Sequence, residues 1–104
     1  GIVETPLIPD GYYSSFAQYT VKFKNKQERD YVKAKLAEKG IPSIIYYQKP
    51  MHKQTAFSYL DIDDNDYKVC NELCEIVLSL PMHPYLVYDS ITLTTHIIKN
   101  NVGK

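Results

Sequence analysis

From Phe16 to Lys24 (FAQYTVKFK) apolar and polar positions alternate, with Tyr19, Val21 and Phe23 on one side and Gln18, Thr20, Lys22 and Lys24 on the other. A period of two predicts a strand with one buried face. Asn25 follows as a helix N-cap, with Glu28 three residues on as its capping-box partner. Lys26 to Lys39 then reads as an amphipathic helix with Tyr31, Val32 and Leu36 inward, closed by Gly40 at the position that favours a left-handed residue. Ile41-Pro42 ends any continuation.

Ser43 to Tyr47 (SIIYY) is rich in β-formers and predicts a second strand. Gln48 to Tyr59 is polar and predicts a loop with one helical turn. Asp61 to Asp66 holds four Asp and reads as a solvated connection capping the next helix; the Gly and closing Glu of an EF-hand are missing. Tyr67 to Val77 places Val69, Leu73, Ile76 and Val77 on one helical face. Leu78-Ser79-Leu80 predicts a short strand before Pro81 and Pro84. Tyr88 to Lys99 predicts a last helix with Ile91, Thr94, Thr95 and Ile98 inward, and its Thr content means that packing must hold it. The order β-α-β-loop-α-β-α predicts an α+β two-layer sandwich, a three-stranded sheet packed by helices.

At 104 residues the chain allows a single domain over 1–104: an extended arm (1–15) broken by Pro6, Pro9 and Gly11, an α+β core (16–99) and a frayed tail (100–104). Twelve Lys+Arg balance twelve Asp+Glu, so the basic excess of a nucleic-acid binder is missing. No apolar run approaches the ~20 residues of a membrane span, and no signal peptide is visible. A cytoplasmic protein with neither nucleic acid nor membrane as partner is therefore expected. The start GIVETPL, without an initiator Met, reads as a piece cut from something longer. Ten Tyr and no Trp point to a wet aromatic surface.

Candidate chemistry is sparse. Cys70 and Cys74 share one helix face, and His52, His83 and His96 bring zinc to mind, but the second spaced ligand pair of a zinc site is absent. No metal is expected, and the two Cys read as small core or semi-core residues. A Cys/His nucleophile would need a positioned base and an orienting group. No Gly-rich phosphate loop exists, because only Gly1, Gly11, Gly40 and Gly103 occur. What remains is Ser43 to Gln54 (SIIYYQKPMHKQ). Tyr46 and Tyr47 end the predicted strand, and Lys49, His52 and Gln54 crowd a Pro-stiffened loop. Phenol, ammonium, imidazole and amide donors gathered there suit phosphates, hydroxyls or a carboxylate, and they suit a plain polar edge equally well.

Four segments in order change that weighting: Phe16-Ala-Gln-Tyr-Thr-Val21, Gly40-Ile-Pro-Ser43, Tyr46-Tyr-Gln-Lys-Pro-Met-His-Lys-Gln54 and Leu78-Ser-Leu-Pro-Met-His-Pro-Tyr-Leu86. Together they resemble the C-terminal end of the DegT/DnrJ/StrS sugar aminotransferases, from about Thr5 to Ile98. The resemblance implies the small C-terminal domain of a fold-type I enzyme that uses pyridoxal 5'-phosphate. The missing large domain would supply the Schiff-base Lys and the Asp on the pyridinium nitrogen, so no catalytic residue is expected here and the fragment alone should be inactive. The parent would move an amino group, from glutamate, onto a nucleotide-linked keto-sugar, and would be a homodimer with sites at the subunit interface.

By the same resemblance Tyr46, Tyr47, Lys49, His52 and Gln54 are the expected substrate or cofactor-phosphate contacts. The family usually has Pro directly after the aromatic pair, where this chain has Gln48. His83 is expected to be a structural residue of the Pro81–Pro84 turn. The SLPMHPYL and FAQYTV segments are most similar to members that make amino sugars for lipopolysaccharide, O-antigen or protein glycans. Two other classes stay open: a free-standing α+β module that binds a small ligand at the Tyr-rich edge, and a regulatory or scaffold domain that only mediates association.

Overall fold

The computed structural model describes residues 1–103. Two strands, β1 (Tyr19–Lys22) and β2 (Val77–Leu80), and three α-helices, α1 (Lys26–Glu38), α2 (Lys68–Ile76) and α3 (Tyr88–Asn101), appear in the order β1-α1-α2-β2-α3. The strands are antiparallel, pairing Tyr19 with Leu80 and Val21 with Leu78. That register turns Tyr19, Val21, Leu78 and Leu80 toward one side, against α1 and α3. Val21, Phe23, Val32, Leu36, Leu78, Ile97 and Ile98 form the core, with Val3, Ile41, Ile45 and Val102 closing its edges. On the other face the Thr20 and Ser79 hydroxyls share a 2.7 Å hydrogen bond.

The third expected strand is not there. Within Ser43–Tyr47 only Ile44 joins the sheet, as a single bridge to Ser79 (Ile44 N to Ser79 O 3.1 Å, Ser79 N to Ile44 O 2.7 Å). The chain enters from Pro42, which lacks a donor, and turns at Tyr46–Tyr47 before a second ladder pair can form. On the opposite edge the arm contributes an equivalent bridge, Glu4 to Lys22, reinforced by an ion pair between their side chains. Two single-residue rungs therefore flank a two-stranded centre.

Asn25 caps α1 as expected, its Oδ1 accepting from the Glu28 N–H at 2.9 Å. The Glu28 carboxylate reaches the Lys24 N–H (3.2 Å) rather than the Asn25 N–H, and it also accepts from the Gly103 N–H (2.7 Å), tying the chain's end to this turn. Gly40 takes a left-handed φ of 70°. The inward stripe of α1 is Arg29, Val32 and Leu36. Tyr31 lies one step off it, half exposed, with the Lys35 ammonium 5.6 Å from its ring centre.

In α3 two of the four expected inward residues, Thr94 and Ile98, are buried. Thr94, Ile97 and Ile98 are buried, while Ile91 and Thr95 are exposed. The Thr94 hydroxyl is satisfied by the Ser90 carbonyl one turn back (2.7 Å), which is how a poor helix former is accommodated inward. The helix also runs past the expected tail boundary: Asn100 and Asn101 belong to it and Val102 packs on the core. The tail's last residue, Lys104, lies outside the described residues. Between Gln48 and Tyr59 the loop holds two short 3-10 turns, Met51–Lys53 and Thr55–Phe57, where one turn is expected. No helix among the described residues is long and apolar enough to cross a membrane.

Candidate functional site

Where the chain turns away at Tyr46, it opens a cleft of about 1030 Å³ between the Tyr46–Gln54 segment and α2. One wall carries Tyr46, Tyr47, Lys49, Met51 and Gln54; the other carries Tyr67, Lys68, Val69, Leu73 and Cys74. The apolar face expected on α2 is therefore split. Ile76 is half-buried and away from the cleft, whereas Val69 and Leu73 line it and stay exposed. Val77, the first residue of β2, forms part of the lining and is itself buried.

Four of the five expected site residues line this cleft: Tyr46, Tyr47, Lys49 and Gln54. Tyr46 and Tyr47 meet edge to face at 5.6 Å and are joined by a cis peptide bond. Their hydroxyls, and the Lys49 and Lys68 ammonium groups, have no hydrogen-bond or ion-pair partner among the described residues. Gln54 is already engaged, its Nε2 donating to the Lys49 carbonyl at 2.9 Å, which closes the loop on itself. His52 is not among the lining residues. It stacks on Tyr67 (4.6 Å between ring centres, 25° between planes), its side chain is 8% exposed, and its Nε2 lies 2.9 Å from Asp64 Oδ1.

Asp64 comes from the four-Asp stretch, which is thus more than a solvated connection. Asp63 caps the 3-10 turn Asp64–Tyr67 by accepting from the Asn65 N–H. The Lys53 ammonium, then the His52 ring, hold the Asp64 carboxyl down at about 2. A carboxyl lowered from its ordinary 3.8 stabilises the fold above about pH 4, and that contribution disappears as pH falls through about 2.

The two thiols sit one helical turn apart on the cleft wall, half-buried rather than in the core. Burial, and then the neighbouring Cys70, push the Cys74 thiol up, away from a reactive thiolate. His83 stands in the Pro81–Pro84 turn, its carbonyl accepting from the Leu86 N–H at 3.2 Å.

Arg29 is the residue that pattern reading missed. It is 3% exposed, and its Nη1 donates to the Cys74 and Val77 carbonyls (3.2 and 3.3 Å), with Nε on Asp30 at 2.6 Å. A cation on the last carbonyls of α2 matches the negative end of the helix and fixes the α2–β2 junction below the cleft. The available signal was spacing: position 29 shares the stripe of Val32 and Leu36, where a charge needs buried partners.

Chemically, the cleft offers two uncommitted phenols and two ammonium groups over an apolar floor, with Asp66 on the rim. That set suits an anionic or hydroxyl-rich ligand. The phenol and ammonium groups of the cleft fit a phosphate or sugar edge.

Comparison with known proteins agrees with these segments. The family model for DegT/DnrJ/EryC1/StrS aminotransferases matches residues 1–99. A pleiotropic regulatory protein of Geobacillus stearothermophilus is 36% identical over 82% of this chain and 22% of its own length. The UDP-2-acetamido-2-deoxy-3-oxo-D-glucuronate aminotransferase of Pseudomonas aeruginosa is 36% identical over 94% of this chain and 26% of its own. Among solved structures, a DegT DnrJ EryC1 StrS aminotransferase from Brucella abortus superposes with a TM-score of 0.86 at 40% identity, covering 99% of this chain and 27% of that one. The chain spans about a quarter of the length of the relatives it matches, and by sequence and fold together it belongs to the DegT/DnrJ/EryC1/StrS aminotransferase family.

Proposed function

We propose that this chain is the small C-terminal domain of a pyridoxal-phosphate-dependent nucleotide-sugar aminotransferase. The parent transfers an amino group, from glutamate, to a nucleotide-linked keto-sugar for cell-surface polysaccharide or glycan synthesis. It works as a cytoplasmic homodimer. The cofactor is held by the rest of the parent, and this chain alone is inactive. Its contribution is one wall of the substrate site: Tyr46, Tyr47 and Lys49 meet substrate or cofactor phosphate, and Gln54 and His52 shape the loop that presents them. The observation that carries the reading is the convergence of uncommitted phenol and ammonium donors on the cleft, within a chain that matches the family over residues 1–99.

Pyridoxal phosphate would supply the electron sink for moving the amino group. This chain's own residues do simpler work. The phenols and ammonium groups bind and orient anionic or hydroxyl oxygens, and Met51, Val69 and Leu73 line the cleft with apolar surface. An association-only role has one point in its favour, the regulatory name of the Geobacillus relative.

One expression experiment separates the two readings. The full-length parent, supplied with pyridoxal phosphate, glutamate and a UDP-linked 3-keto-sugar, should carry a visible cofactor absorbance band through gel filtration and release 2-oxoglutarate. Residues 1–104 alone should do neither. A stable cofactor band on residues 1–104 contradicts the division of labour, and a full-length protein without amino transfer leaves the association role standing.

A further inference from the structure

The two walls of the cleft come from segments on either side of the Asp61–Asp66 stretch, and side chains from both converge on one carboxylate. Asp64 Oδ1 accepts from His52 Nε2 and from Asn71 Nδ2, and Asp64 Oδ2 accepts from the Lys53 ammonium, each at 2.9 Å. His52 and Lys53 belong to the loop wall; Asn71 belongs to α2. Asn71 Nδ2 also donates to the Asp64 carbonyl (3.1 Å), while its own Oδ1 is buried with no partner among the described residues. Buried polar atoms are nearly always paired, so this amide is turned to serve the carboxylate and its oxygen goes without. The His52 ring, stacked on Tyr67, closes the same junction from the apolar side.

We infer that Asp64 is a positioning residue for the cleft: it clasps the Lys49–Gln54 loop to the Asn65–Cys74 wall and so sets the distance between the Tyr46, Tyr47 and Lys49 donors and Lys68 opposite them. A ligand gripped from both sides needs that distance held, because hydrogen bonds to it weaken steeply once donor and acceptor leave their optimal separation. A carboxylate suits the place because all three side chains present hydrogens to it. An amide keeps one acceptor oxygen and turns its own N–H groups toward donors. The inference rests on the proposed ligand role of the cleft, and its test is chosen to tell the two apart.

In the full-length protein, Asp64→Asn, Asp64→Glu and Asp61→Asn are compared in two ways. The first readout is steady-state kinetics with the UDP-linked 3-keto-sugar. The second is the rate of tryptic cleavage after Lys53, which needs no activity. Asp64→Asn should raise KM about tenfold while kcat changes less than about threefold, the split expected when binding contacts are lost equally from ground and transition states and the chemistry is untouched. Cleavage after Lys53 should quicken by about tenfold as the loop comes free. Asp64→Glu should recover part of both. Asp61→Asn, which removes the same charge from an exposed residue of the same stretch, should change neither.

Equal effects from Asp61→Asn and Asp64→Asn, or an active enzyme whose KM and cleavage rate stay put, overturn the clasp. An inactive full-length protein whose Asp64→Asn variant is cleaved faster keeps the tie between the walls and rejects the aminotransferase reading. Inactivity together with unchanged cleavage rejects both. If Asp64→Asn fails to fold, Asp64→Glu carries the decision: intermediate KM and cleavage support the clasp, and values like the unaltered protein contradict it.

Discussion

Leu36→Ala lowers the unfolding free energy by about 2–5 kcal/mol, the range for emptying a filled aliphatic site. Leu36 is 0% exposed and packs among Val21, Phe23, Val32, Leu78, Ile97 and Ile98, where both strands and two helices meet. Its carbonyl also accepts from the Lys39 and Ile41 N–H groups at the helix end (3.1 and 3.0 Å), so the backbone there cannot easily collapse into the void. Domains of this size hold only about 5–15 kcal/mol in total, so the variant should be partly unfolded under mild denaturant. Urea titration followed by circular dichroism gives the number. Tyr31→Ala on the same helix should cost much less, because that ring stands off the buried stripe. A larger loss from Tyr31→Ala than from Leu36→Ala would mean that α1 faces the core with a different side.

Arg29→Ala is the second large effect. Truncation removes a buried guanidinium and leaves the Cys74 and Val77 carbonyls without it. Hydrogen bonds to charged groups are worth about 1.5–3 kcal/mol each, so losing the two to these carbonyls is expected to cost about 3–6 kcal/mol. Arg29→Lys should recover less than half, since an ammonium cannot reproduce the planar fork that reaches both carbonyls and Asp30. Amide exchange localises the damage: α2 should lose protection in the alanine variant while β1 keeps most of its own. Uniform loss across the chain, or none, would contradict a local role for Arg29 at the α2–β2 junction.

Much of this was legible in the chain, for reasons that differ by element. The alternation around Tyr19, Val21 and Phe23, the Asn25 cap and the Gly40 stop are local signals, and local physics decides them. The SIIYY segment has strand composition, yet strand pairing is a tertiary event. One rung at Ile44 is all that the turn at Tyr46 permits. The helices form where the pattern places them, and Val32, Leu36, Thr94 and Ile98 face inward as expected; Tyr31, Ile91 and Thr95 do not, because neighbouring positions on a 3.6-residue period differ by only 100° and the partner surfaces choose between them. Of the candidate site, Tyr46, Tyr47, Lys49 and Gln54 came together on one wall as their spacing suggested. The opposite wall could not be read, since Lys68, Val69 and Leu73 lie on a helix whose apolar face looked like core. Asp64 and Arg29 were hidden for a related reason: a charged residue announces its surroundings only once its partners, distant in sequence, are in place.

The most direct test of the cleft as a ligand-gripping site is Tyr47→Phe in the full-length protein, with kinetics and thermal stability measured on the same sample. The Tyr47 ring is 69% exposed and rests against Tyr46, so Phe keeps the packing and the melting temperature should hardly move. The lost hydroxyl, uncommitted within this chain, should weaken handling of the nucleotide-linked sugar by about 1.5–3 kcal/mol if it bonds a charged oxygen, which is roughly ten- to a hundredfold in kcat/KM. Unaltered kinetics with a shifted melting temperature would contradict this, and would leave Tyr47 as an edge residue that supports the fold and touches no substrate.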